Sequence, residues 1–119
     1  MVPILKQGDT LIASIVAALS DDDMVKFRDD LAQKIGTVRA RGVVIDVTAL
    51  DVLDSFATRT LRGIAYTARL RGAETVIVGI QPEVAFALVQ LGLTLDGVST
   101  ALDLEEGLAL LERKKQERR

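Results

Sequence analysis

The sequence predicts a single α/β domain, a mixed and mostly parallel sheet of about five strands with about four helices. Three observations predict it. Apolar runs of strand length alternate with helix-period stretches of roughly ten to sixteen residues, the spacing of βαβ units. The runs VVIDV (43–47) and TVIVGI (75–80) are almost continuously apolar, as strands covered on both faces are. The chain has 119 residues, 49% of them hydrophobic, which is enough for one core.

The elements follow in order. PILKQG (3–8) and TLIASIVAAL (10–19) read as two strands joined at Gly8-Asp9, a turn-forming pair, so a hairpin is expected. Ser20 followed by Asp21, Asp22 and Asp23 is a helix start, because the serine caps and the acids face the positive dipole end. Met24, Phe27, Leu31, Ile35 and Val38 then recur at spacings of three and four, and the helix fades by Ala40. Gly42 opens the strand VVIDV. A helix from about Ser55 to Leu70 sets Ala57, Leu61, Ile64, Ala65 and Ala68 on one face and ends before Gly72. ETVIVGI (74–80) is the next strand, and Pro82 suits the first turn of the helix after it, where its missing N–H is not needed. Gly92 stops that helix. LTLDGV (93–98) reads as a short strand or extended loop. Asp103 with Glu106 then resembles a capping box opening a last helix through Leu108 and Leu111.

Composition narrows the chemistry. There is no Cys, so disulfides and thiolate sites are excluded, and no His, the side chain most used for acid–base work near neutral pH. The only aromatic residues are Phe27, Phe56, Tyr66 and Phe86. A net charge of −2 gives no general pull towards nucleic acid or anionic lipid, although ERKKQERR (112–119) forms a basic C-terminal tail with five cations and two acids. Without interleaved aromatics that tail reads as a solvated helix end. No apolar run approaches the length of a membrane span, and no basic leader opens the sequence, so a cytoplasmic protein without membrane contact is expected.

Catalytic motifs are missing. There is no Gly-rich dinucleotide or phosphate loop and no Gly-x-Ser-x-Gly elbow, and no lysine base lies near Ser55 in sequence. Asp51 and Asp54 sit on one polar loop, where solvation and turn formation explain them better than acid–base or Mg²⁺ chemistry. Asp46, inside an apolar strand, is expected to accept backbone N–H groups from the loop that follows it. Ser55 is the residue that remains. At a helix start it reads first as a cap, yet a helix N-terminus also tolerates a phosphate, and modification there would add charge while leaving the fold intact.

Residues 42–61, GVVIDVTALDVLDSFATRTL, and 72–108, GAETVIVGIQPEVAFALVQLGLTLDGVSTALDLEEGL, resemble the RsbS-type STAS-domain scaffolds of bacterial stressosomes, of the anti-sigma factor antagonist family. PILKQGDTLIASI at the start belongs to the same resemblance. It implies a non-enzymatic, cofactor-free scaffold in a large cytoplasmic assembly with RsbR-type STAS paralogues. It further implies an RsbT-like serine/threonine kinase that phosphorylates the scaffold and leaves, an RsbX-type phosphatase, and homo-oligomeric contacts within the complex. The family's phosphorylated serine falls on Ser55, with Asp51, Asp54 and Phe56 as the partner-binding loop. A second site at Thr58, one helical turn on, stays open, although an ordinary helix-surface threonine is expected there. RsbR-type proteins carry a threonine at the equivalent place and a separate sensory domain for which these residues leave no room. Two other readings remain: a free antagonist binding an anti-sigma kinase one-to-one, and a small-ligand or nucleotide-binding STAS module.

Overall fold

The computed structural model describes residues 2–117. Two strands, β1 (Ile4–Gln7) and β2 (Thr10–Ser14), form the expected antiparallel hairpin, paired from Ile4 with Ala13 to Gln7 with Thr10. Gly8 in the turn has φ +61°, a conformation that a residue without Cβ adopts at no steric cost. Then come α1 (Asp21–Val38), β3 (Gly42–Asp46), α2 (Ser55–Leu70), β4 (Glu74–Val78), α3 (Pro82–Gln90), β5 (Ser99–Ala101) and α4 (Leu104–Glu117). The sheet order is β1-β2-β3-β4-β5, with β2 through β5 parallel.

That order decides where the helices lie. Each crossover steps one strand in the same direction, so right-handed connections place α1, α2 and α3 on one face. Met24, Phe27, Leu31 and Ile35 of α1, Leu61, Ile64 and Ala68 of α2, and Val84 and Leu88 of α3 pack there against Leu11, Val43, Ile45 and Ile77. The opposite face carries Ile12, Val44, Val76 and Val78 and is covered by α4 through Leu111. The approach is close: a Cβ on Gly107 would come within 2.6 Å of Val78 Cγ1. Burial on both faces is the physical reason β3 and β4 read as unbroken apolar runs.

Of the two readings of LTLDGV the loop is the one found: residues 91–98 contain turns at 91–92 and 96–97 and no strand, and β5 is the three-residue STA that follows. Leu93, Leu95 and Val98 reach the core from that irregular segment, so their apolar character serves packing rather than pairing. The second strand ends at Ser14, well short of Leu19. The expected capping box at Asp103 forms with a displaced return bond. Glu106 N–H donates to Asp103 Oδ1 (2.9 Å), while Glu106 Oε1 accepts from Leu102 N–H (3.2 Å). Of the basic tail, residues 112–117 belong to α4, and Arg118 and Arg119 lie outside the described residues.

Candidate functional site

In a parallel sheet all the strand-to-helix loops emerge at one edge. Here those loops are residues 15–20, 47–54, 79–81 and 102–103. The segment from β3 to α2 is held at four points. Asp46, the last residue of β3, accepts from Thr48 N–H (2.9 Å) and Thr48 Oγ1 (2.6 Å), which supplies the loop partners its carboxylate needs. Thr48 O accepts from Gln81 Nε2 (2.7 Å), tying this loop to the start of α3. Leu50 and Leu53 are buried and pin the segment to the core, leaving Asp51 and Val52 exposed between them. The loop is therefore a braced platform.

Its end corrects the sequence reading of Ser55. The N-cap of α2 is Asp54, with extended φ/ψ of −78° and 177°, and its Oδ1 accepts from Ala57 N–H at 2.7 Å. Ser55 is the first helical residue. Asp and Ser are both favoured caps, so composition could not separate two neighbours; backbone geometry does. The consequence is chemical. With capping done by Asp54, the half-buried Ser55 forms no side-chain hydrogen bond among the described residues, and its hydroxyl stands at the positive end of a 16-residue helix.

Thr58 is corrected too. It is 0% exposed, and its Oγ1 donates to Asp54 O at 2.9 Å. Spacings of three, four and three link Thr58, Leu61, Ala65 and Ala68, all buried, so the stripe that placed Ala57 inward runs through Thr58 as well. Phe56 lies in the first turn of α2 with its ring partly packed on the core, so Asp51 and Asp54 are the exposed members of the expected binding loop. Beside them a cleft of about 50 Å³ opens between Leu19, Met24, Leu50 and Val52, with Asp54 and Ala57 at one side. Sequence reasoning missed the brace formed by Thr48, Gly79 and Gln81. Its one signal was Gly79 at the end of an apolar strand, and the structure gives that glycine φ +82°.

Among the described residues no cluster of His, Cys, Asp or Glu could hold a metal ion, and no helix is long and apolar enough to cross a membrane.

Comparison with known proteins agrees with this architecture. The family model for the STAS domain matches residues 2–107. A serine-to-glutamate variant of RsbS from Moorella thermoacetica is 40% identical, with 97% of each chain covered and a TM-score of 0.84. A chain from the molecular architecture of the stressosome, described as a signal integration and transduction hub, is 39% identical with a TM-score of 0.76, covering 96% of this chain and 99% of that one. The RsbT co-antagonist protein RsbRA of Bacillus subtilis is 27% identical over 97 residues, which are 82% of this chain and 35% of RsbRA. This chain thus spans about a third of that relative's length.

Proposed function

The chain belongs to the STAS family, and from that premise we propose that it is a non-enzymatic scaffold of a bacterial stressosome, switched by phosphorylation of Ser55. The observation that carries the reading is the free Ser55 hydroxyl, released from capping by Asp54 and set on a braced loop at a helix start. Similarity to RsbS and to a stressosome chain supports the assembly, and similarity to RsbRA supports an RsbR-type STAS paralogue as co-scaffold. An RsbT-like serine/threonine kinase is the enzyme that modifies Ser55 and is held until it does so. An RsbX-type phosphatase resets the site, and the system is cytoplasmic.

The electrostatics allow a switch without unfolding. At an exposed helix start the dipole favours an anion by about 0.3–1 kcal/mol. Repulsion from Asp51 and Asp54 in water is at most about 1 kcal/mol per unit charge pair at contact range, so up to about 3–4 kcal/mol for a dianion facing both. The net cost in the free protein stays below the roughly 5–15 kcal/mol that holds a domain folded. At a desolvated kinase interface the same dianion, with no preformed cation, costs several kcal/mol, and about 1.4 kcal/mol is already tenfold in affinity. Phosphorylation therefore expels the partner and leaves the fold in place. The cleft of about 50 Å³ beside the loop is far below the several hundred Å³ of an ordinary ligand pocket, which disfavours a nucleotide-binding role for this loop.

The test is co-purification with an RsbR-type paralogue and the kinase, followed by ATP. A particle of megadalton scale that loses kinase on ATP addition, and keeps it when Ser55→Ala replaces the wild type, is expected. A small one-to-one complex with an anti-sigma kinase, and no large particle, would instead establish the free antagonist.

A further inference from the structure

The edge of the sheet opposite Ser55 carries a second charged feature. Arg39, Arg41 and Arg71 line one open cavity of about 390 Å³, floored by Gly36 and Gly72 where α1 and α2 end. All three arginines are exposed, and none takes part in an ion pair or side-chain hydrogen bond among the described residues. Arg71 has a structural role: its guanidinium lies over Gly36, where any Cβ would strike it, and it supplies a cation near the C-terminal end of α1, whose own last turn has none. Arg39, the C-cap of α1, shares that helix-end position, although its left-handed backbone (φ 53°, ψ 49°) favours glycine; Arg41, two residues beyond, is not accounted for in that way. Arg41 lies near Asp9, but the Asp9 carboxylate is engaged by Lys115 Nζ at 2.8 Å. Two helix C-termini offset only about one unit of the three positive charges.

The same chain carries the complement. Asp21, Asp22 and Asp23 are consecutive, exposed and at the start of α1, at the Ser55 edge. Fifteen helical residues, 24–38, separate the two clusters, about 24 Å from Asp23 to Arg39 at 1.5 Å per residue, so they cannot meet within one molecule. We infer that the Arg39–Arg41–Arg71 cavity receives the Asp21–Asp23 turn of a second copy of this chain, a contact between opposite poles of neighbouring scaffold domains. Guanidinium groups suit this occupant because their planar fork pairs two carboxylate oxygens at once. A nucleic acid strand suits it less, since no aromatic side chain lines the cavity to stack a base. Exposed pairs are individually weak, so the contact is salt-sensitive and gains strength by repetition in an assembly. It goes beyond the Ser55 switch and does not depend on it.

Sedimentation velocity on the purified full chain tests the proposal by charge exchange. Wild type should self-associate reversibly in low salt and dissociate towards monomer in about 0.5 M NaCl. Arg39→Glu/Arg41→Glu, which leaves Arg71 on Gly36, should associate roughly tenfold more weakly. Asp21→Lys/Asp22→Lys/Asp23→Lys should be weakened alone to a similar degree, and an equimolar mixture of the two variants should regain the wild-type species. If the lysine variant fails to fold by circular dichroism, the triple Asn variant takes its place and should lose association likewise. A monomeric wild type, variants that associate as the wild type does, or folded charge-exchanged variants that stay monomeric when mixed would each overturn the inference.

Discussion

Replacing Gly79 by alanine should damage the platform under Ser55 more than any other single methyl at a turn. Gly79 has φ +82°, and a Cβ there would collide with Thr48 Oγ1, come within 2.9 Å of Thr48 Cβ and 3.1 Å of its Cα. Thr48 has little freedom to retreat. Its N–H and hydroxyl are both spent on Asp46 Oδ1, and its carbonyl accepts from Gln81. The left-handed backbone alone costs a non-glycine residue about 1–2 kcal/mol. Turning the hydroxyl away forfeits a bond to a carboxylate, worth about 1.5–3 kcal/mol. The sum is about 2.5–5 kcal/mol. With an unfolding entropy of about 2.1 cal/mol/K per residue, that lowers Tm by roughly 10–20 °C for this chain. Gly92→Ala is the control, because φ is +68° there but nothing lies within 4 Å of the added carbon, leaving only the backbone cost. Calorimetry of the two variants is the assay. Equal losses of Tm would show that the Thr48 brace is not as described.

Three further outcomes follow from the same geometry. Asp54→Ala should cost about 1 kcal/mol in denaturant titrations through loss of the α2 cap, whereas Ser55→Ala should stay within about 0.5 kcal/mol; the reverse order would return the cap to Ser55. Thr58→Val should cost about 1 kcal/mol for the bond to Asp54 O, while Thr58→Glu buries a charge and should melt far below the wild type; a Thr58→Glu protein with wild-type Tm would contradict the burial. The Lys115–Asp9 pair gives a pH signature. The hydrogen bond from Lys115 holds the Asp9 carboxyl below its usual range, so its stabilisation is present above the unfolded carboxylate range and is lost as acid passes through the lowered folded value. Lys115 itself is raised, so that contribution is complete below the ordinary lysine range and disappears only in strong alkali. Lys115→Met should therefore lose up to about 1 kcal/mol near neutral pH and nothing near pH 2, the half-exposed pair being screened by water; a difference independent of pH would remove the ion pair from the account.

Much of this was legible in the sequence because periodicity reports burial directly. The helix from Ser55 to Leu70 and the strands around Val44 and Val76 stand where their spacing placed them. The misreadings have local causes. Asp54 and Ser55 are equally good caps, and only φ/ψ decides between them. Thr58 reads as an ordinary helix-surface threonine, although a buried helical threonine satisfies its hydroxyl on the carbonyl four residues back, as it does here. Leu93, Leu95 and Val98 mimic strand alternation while packing from a loop. The Thr48–Gly79–Gln81 brace joins residues 31 to 33 positions apart, and no short-range pattern encodes it.

The central claim is that Ser55 is the switch, and intact-mass spectrometry after treatment with an RsbT-like kinase and ATP tests it most directly. Wild type should gain one phosphate with little change in its circular dichroism spectrum, and Ser55→Ala should gain none. A full phosphate on Ser55→Ala, or a wild type that stays unmodified in the presence of an active kinase and its RsbR-type co-scaffold, would contradict the account.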